Sequence, residues 1–256
     1  MKKITALSEK QLEKYSRQIL ISDIGYKGQL TLMNASVVVL GCGGLGSSAL
    51  GSLAMSGIQR IGIVDFDKVS LSNLNRQSLF GEKDIGLDKV IVAKKKILSI
   101  NPEILIESHN TKLTKNNINK ILYKFKFVLD CTDNFRSRYL INDYCYHNKK
   151  ILISAALHNF EIQLFNIKAW KNNKNPCYRC IFPKHKNLNK IGNCADMGII
   201  SPVAGIGGML QAMSIIKQII KPCEKDFKEF LIHDLINMSQ KKINVTKDNN
   251  CILCKK

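Results

Sequence analysis

Between Ser36 and Asp65 the chain reads as strand, glycine turn, helix and second strand, and that run limits the fold more than any other. Ser36 to Leu40 is short and apolar. Gly41-Cys42-Gly43-Gly44-Leu45-Gly46 follows, then a helical stretch to about Ser56, then Ile61 to Val64. A βαβ unit of this size is the format of a parallel, nucleotide-binding sheet. The glycines permit a tight turn and close backbone approach, so that phosphates can meet the partial positive charge of a helix N-terminus. Glycine turns also serve plain helix–strand packing, so the turn alone is a weak signal. Asp65, 24 residues after Gly41 at the end of the second strand, sharpens it. A carboxylate there can accept ribose hydroxyls.

The rest of the chain extends the same pattern and then breaks it. Residues 7–33 read as helical, with Ser8 as a cap and Leu12, Tyr15, Ile19 and Leu20 at helical spacing. A nucleotide-binding core spans 35–156. Within it, helices are predicted over about Asp88 to Ser99, Lys115 to Tyr123 and Arg136 to His147. Strands are predicted at Ile104 to Ser108, Phe127 to Asp130 and Ile151 to Ala155. In 157–256, Ile162 to Ala169 and Leu231 to Val245 suggest antiparallel strands, with a helix from Gly207 to Ile220. Asn172 to Asn193 is a polar loop and the best candidate for mobility. The expectation is an α/β chain, a Rossmann-like and mostly parallel sheet flanked by helices, with a C-terminal antiparallel extension.

The residues after Asp65 favour ATP as a reactant. Asn73, Arg76 and Lys89 form a cationic clamp that a redox dinucleotide, whose pyrophosphate undergoes no chemistry, does not need. Attack on an α-phosphate does need such charge stabilisation. Any one of these side chains alone could be solvated surface. An NAD-dependent oxidoreductase would share the glycine turn and Asp65, and Arg76 and Lys89 argue against it. Asp130 and Asp133 flank Cys131-Thr132 at a strand's C-terminal end, where open α/β sheets bind ligands. Asp133 can hold magnesium against phosphate oxygens, or Asp133 or Asn134 can cap the next helix. We assign Asp133 to the metal and Asp130 to structure.

Nine cysteines are present. Cys177-Tyr178-Arg179-Cys180 and Cys251-Ile252-Leu253-Cys254 each have chelate spacing, and two such pairs favour one structural zinc site over a redox motif. Cys194, in Gly192-Asn193-Cys194-Ala195-Asp196, is either a loop nucleophile or incidental. Cys42, Cys131, Cys145 and Cys223 read as core or loop residues. The five histidines show no nucleophile–base pattern.

A formal net charge of +19 invites a nucleic-acid reading. Lysine supplies 33 of the 39 cations, however, and Asn (23) and Ile (33) are also abundant. All three share A/T-rich codons, and the lysines are scattered, with Lys94-Lys95-Lys96 the only triplet. Compositional drift is the favoured account of the charge, with an acidic protein partner as the alternative, and no nucleic-acid partner is expected. No signal peptide is read at Met1-Lys2-Lys3. The uncharged run Met197 to Ile216 contains Ser201-Pro202 and several glycines, which suits a buried loop leading into a core helix better than a membrane span. A cytoplasmic protein is expected.

Together, Tyr15-Ser16-Arg17-Gln18, the glycine loop, Asp65-Phe66-Asp67, Ser72 to Gln77, Lys89, Leu129 to Asn134 and both Cys-x-x-Cys pairs resemble the bacterial ThiF/MoeB/HesA family, relatives of the ubiquitin-activating enzymes. The resemblance spans nearly the whole chain as one adenylation domain. It implies an enzyme that adenylates the C-terminal glycine carboxylate of a small ubiquitin-like sulfur carrier ending in Gly-Gly and releases pyrophosphate. It further implies that Gly41, Gly43, Gly44, Asp65, Ser72, Asn73, Arg76, Lys89, Asp133 and Asn134 bind ATP, that Asp133 holds magnesium, and that Cys177, Cys180, Cys251 and Cys254 bind zinc. Arg17 would reach the partner subunit's site in a homodimer.

Tyr15 to Leu20, Ile181-Phe182-Pro183 and Asn193-Cys194 look closer to the thiamine-biosynthesis branch than to the molybdopterin one. In that branch the residue matching Cys194 is implicated in linking to the carrier. With the chain ending two residues past Cys254, no rhodanese-like domain is expected and sulfur is expected from a separate donor protein. Two departures stand out: Cys42 replaces the usual aliphatic residue, and Asn75 the usual Gln. Neither removes a charge.

Overall fold

The computed structural model describes residues 3–172, 174–183 and 198–255. Two helices, α1 (Glu9–Ile19) and α2 (Gly25–Met33), open the chain. Ser8 caps α1 in a reciprocal box, its hydroxyl accepting from Gln11 N while the Gln11 side chain accepts from Ser8 N. The predicted βαβ unit follows as β1 (Ser36–Leu40), α3 (Gly44–Met55) and β2 (Arg60–Asp65). Then come α4 (Lys89–Ile100), β3 (Leu105–Asn110), α5 (Ile118–Leu122), β4 (Phe127–Asp130), α6 (Phe135–His147), β5 (Ile151–His158) and β6 (Glu161–Ile167). The short α7 (Tyr178–Ile181), the long α8 (Ser201–Ile220), β7 (Glu229–Asp234) and β8 (Ser239–Asn244) complete it.

All eight strands join one sheet in the order β3-β2-β1-β4-β5-β6-β7-β8. β1 to β5 are mutually parallel, and β6, β7 and β8 continue antiparallel. The chain runs outward from β1 through β2 to β3, then returns to lay β4 on the other side of β1. That reversal makes the crevice beyond β1 and β4 a natural ligand position.

The apolar strands are unbroken runs because both faces are covered. Val37, Val39, Ile61, Ile63, Leu129 and Ile153 face one core with α3, α4 and α8. Val38, Leu40, Val64, Val128 and Leu152 face the other with α5 and α6.

Two helices differ from the sequence expectation. α5 begins at Ile118, because the Asn117 side chain accepts from Thr114 N and donates to Lys112 O, folding the preceding residues into a turn. α8 begins six residues before the expected Gly207 and absorbs Pro202 in its first turn, where proline costs no hydrogen bond. Its glycines serve packing: a Cβ on Gly208 would overlap the carbonyl oxygen of Leu45, and one on Gly207 would stand 2.7 Å from the Leu45 side chain. Among the described residues α8 alone is long and apolar enough to cross a membrane. Here it buries Val203, Ala204, Gly207, Gly208, Gln211, Ala212 and Ile215 inside the fold.

Candidate active site

Three loops converge at the C-terminal ends of the adjacent strands β2, β1 and β4. The turn after β1 depends on its glycines. Gly41 has φ +97°, and a Cβ there would stand 2.8 Å from the Cys131 carbonyl, so the first and third loops touch. A Cβ on Gly46 would overlap the carbonyl oxygen of Gly41. α3 begins directly after Gly43, with no side chain capping it, and its first N–H groups form an electropositive cradle.

Asp65 ends β2 beside that turn and is 8% exposed. One carboxylate oxygen accepts from Cys42 N at 2.6 Å, the other from Asp67 N at 2.8 Å. A carboxylate has about four lone-pair sites, so capacity remains for ribose hydroxyls. Burial pushes the Asp65 carboxyl above the usual carboxylate range, opposed by those two N–H groups and by the Lys89 charge. Lys89 opens α4, buried, with its ammonium 3.0 Å from Asp67 Oδ2.

The segment after Asp67 lies over the cradle. A Cβ at Gly44 would be 3.3 Å from the Arg76 carbonyl and 3.7 Å from its side chain. The Arg76 guanidinium donates to Ser72 O at 2.8 Å and to Asn75 Oδ1 at 3.0 Å. Asn73 closes a 3₁₀ turn, its side chain accepting from Ser70 N, and the Ser70 and Ser72 hydroxyls are 3.1 Å apart. Gln77 is a residue that sequence reasoning passed over as a site residue. It is 4% exposed, sits next to Gly43, and its Oε1 has no partner among the described residues. Only its position after Arg76 signalled it.

In the third loop the fully buried Asp130 is structural, as expected. It accepts from Thr132 N (3.0 Å), Thr132 Oγ1 (2.6 Å) and Ser154 Oγ (3.0 Å). Asn134 takes the cap of α6, accepting from Ser137 N at 2.9 Å. Asp133 is thereby left exposed, with an Asn134 side-chain contact at 3.2 Å. That carboxylate suits a hard cation such as magnesium. Gln211 of α8 braces the loop from below, donating to Asp130 O at 2.9 Å and accepting from the buried Cys131 thiol. Cys42 and Cys145 are buried and Cys223 is half-buried.

The structure thus brings the glycine turn, Asp65 and Arg76 together, with Lys89 joined to Asp67, Ser72 and Asn73 in the turn that carries Arg76, and Asp133 and Asn134 just past the Cys131–Thr132 peptide that meets Gly41. Arg17 is exposed on α1. Cys194, and with it much of the polar loop Asn172 to Asn193, lies outside the described residues.

At a separate place Cys177, Cys180, Cys251 and Cys254 hold their sulfurs within 4.8 Å of one another. The Cys177–Cys180, Cys177–Cys251 and Cys180–Cys254 separations are 3.8, 3.6 and 3.4 Å. A tetrahedron of thiolates at the usual zinc–sulfur length has edges of about 3.8 Å, so the donor set fits zinc. Hydrogen bonding among the thiols and burial hold the Cys177 thiol up, while Cys180, which accepts from its neighbours, is pulled down. A cation would resolve that competition.

The ThiF family model matches residues 15–253. The chain belongs to the ThiF family. Among its relatives, "Adenylyltransferase and sulfurtransferase MOCS3" of Culex quinquefasciatus is 42% identical over 217 residues, covering 85% of this chain and 49% of that protein. The chain thus spans about half the length of the MOCS3 relatives it matches. The "Sulfur carrier protein adenylyltransferase" of Thermus thermophilus is 33% identical over 249 residues, covering 96% and 92% respectively. A crystal structure of E. coli MccB with ATP superposes with a TM-score of 0.80 at 26% identity, over 97% of this chain and 76% of that one. The ThiF fold thus accounts for the mostly parallel sheet and its antiparallel extension.

Proposed function

We propose that this chain is an ATP-dependent adenylyltransferase acting on the C-terminal glycine carboxylate of a small ubiquitin-like sulfur carrier protein, with release of pyrophosphate. The observation that carries this reading is Arg76 packed over Gly44 at the N-terminus of α3, with Asp65 beside the same turn. That arrangement supplies a ribose acceptor and a cationic cradle in one crevice. Asp65 orients the nucleoside. The α3 N-terminus, Arg76 and Lys89 screen the polyphosphate so that an anionic carboxylate can attack the α-phosphorus, and they stabilise the charge that develops there. Asn73 and Ser72 shape the segment that presents Arg76. Asp133 would hold magnesium, which neutralises phosphate oxygens when bound, with Asn134 beside it capping α6. The names of the Thermus relative and of the ATP-bound MccB structure support the substrate pair.

The finer reading is the thiamine branch, supported by Tyr15 to Leu20 and Ile181-Phe182-Pro183, with Cys194 linking to the carrier and a separate protein donating sulfur. The molybdopterin carrier is the second reading, since the same crevice serves either. A homodimer is supported by the apolar side chains left exposed beside Arg17 and on α8: Leu20, Ile21, Met209 and Met213. Incubation with magnesium, ATP and each carrier, followed by intact-mass analysis, tests the reading. A carrier adenylate should form on the chain ending in Gly-Gly and not on one lacking the last glycine. ATP consumption with no carrier adenylate contradicts it.

A further inference from the structure

The knuckle between Cys177 and Cys180 is docked on α6, and α6 begins at the Asp133 loop. Tyr178 N donates to Asn142 Oδ1 at 3.0 Å, and the Arg179 guanidinium grips the Asp143 carboxylate with two bonds of 2.7 Å. The Tyr139 hydroxyl donates to Phe182 O at 3.1 Å, and the Tyr178 ring packs against Tyr139 and Phe182. Tyr178, inside the chelate, is 3% exposed, and Arg138 on α6 is 6% exposed. The Arg138 guanidinium lies close to the Tyr178 hydroxyl, where its charge favours the ionised phenol against the effect of burial, and it donates from Nη2 to the Thr132 carbonyl at 2.6 Å. Thr132 immediately precedes Asp133, and its N and Oγ1 are already held by Asp130. One buried guanidinium therefore joins the thiolate knuckle to the loop that carries the magnesium carboxylate.

We propose that Arg138 and Tyr178 are positioning residues that couple metal occupancy of the four-cysteine site to the Mg·ATP site through the Thr132–Asp133 peptide. The coupling rests on the ATP reading above. With metal bound, the knuckle is closed across the 70 residues that separate the two cysteine pairs, and Tyr178 is fixed beneath the loop. Without it Tyr178 is released, Arg138 loses a partner in a buried place, and the loop geometry that receives Mg·ATP becomes less populated. Apparent affinity falls in proportion to that population. Linkage requires the reverse effect as well: Mg·ATP must tighten metal retention by the same factor.

The test measures Mg·ATP binding by calorimetry, and metal release to a chromogenic chelator, on the full chain. Metal-loaded wild type should bind Mg·ATP at least about fivefold more tightly than the metal-free protein, and Mg·ATP should raise the metal affinity, read from equilibrium competition with the chelator, by the same factor. Tyr178→Phe keeps the ring packing and removes only the hydroxyl. It should retain full metal content and the wild-type unfolding midpoint, bind Mg·ATP about fivefold more weakly, and hold metal against the chelator with an equilibrium affinity that Mg·ATP no longer changes. Arg138→Lys, which keeps the charge but cannot span both partners, should behave alike. If the metal-free chain unfolds, the metal-loaded Tyr178→Phe comparison decides alone. Unchanged Mg·ATP affinity in metal-loaded Tyr178→Phe overturns the coupling while leaving the ATP reading intact. Metal-loaded wild type that binds no Mg·ATP overturns both.

Discussion

Arg76 favours an adenylating site over a redox-dinucleotide site, because a pyrophosphate that undergoes no chemistry needs no dense cationic clamp. Arg76→Ala should lower the rate of pyrophosphate exchange by about 10²–10³-fold, the usual effect of losing one transition-state donor. Adenosine binding should be retained, since Asp65 and the glycine turn are untouched. Asp65 makes a second, pH-dependent prediction. Its carboxyl titrates above the usual range because it is buried, with the Cys42 and Asp67 N–H groups and Lys89 working against the shift and the Asp67 carboxylate with it. Ribose needs the ionised acceptor, so adenosine affinity should fall on acidification at a higher pH than an ordinary aspartate would give. Adenosine carries no phosphate to titrate, and Asp65→Asn should abolish that pH step. The glycine turn, Asp65 and Arg76 were legible in the sequence because each is a residue type whose chemistry forces its place. Gln77 and Arg138 were not. Their roles rest on contacts across the fold, to Gly43 in one case and to Thr132 and Tyr178 in the other, and spacing carries no such information.

At the scale of elements, the site is held by the close approach of α3 and α8. Gly208 should be intolerant of a side chain: Gly208→Ala would put a methyl into the Leu45 carbonyl and the Ser48 side chain. Such overpacking costs about 1–3 kcal/mol. Gly51, on α3, gives the contrast: among the described residues no atom outside its own helix lies within 4 Å of its Cβ position. Gly51→Ala should stabilise by about 0.5–1 kcal/mol through helix propensity. Urea unfolding measures both, with the midpoints moving in opposite directions at constant slope. β1, β2, β4 and α4 were readable in advance because apolar runs and caps are local signals. The start of α8 was misplaced, since Ser201-Pro202 and three glycines read as a loop until the packing against Leu45 explains them. α5 was over-extended for the converse reason, a side-chain turn at Asn117 winning over helical periodicity.

For the whole molecule, the sheet divides into a parallel half that builds the crevice and an antiparallel half that carries the chain on to the cysteine cluster. Arg17 is exposed on α1, and in the homodimer proposed above it would reach the partner subunit's site. Arg17→Ala and Arg76→Ala should each be inactive alone. Refolded as a mixture they should recover about a quarter of wild-type activity, because half the dimers would contain one intact site. A mixture as inactive as its components would refute the shared site. Most directly, the central claim of adenylation is tested by ATP–pyrophosphate exchange with a carrier ending in Gly-Gly. Exchange should require magnesium and the carrier's terminal carboxylate, and should disappear when that carboxylate is amidated. Exchange that is absent with every Gly-Gly carrier, or unchanged by amidation, would contradict the account.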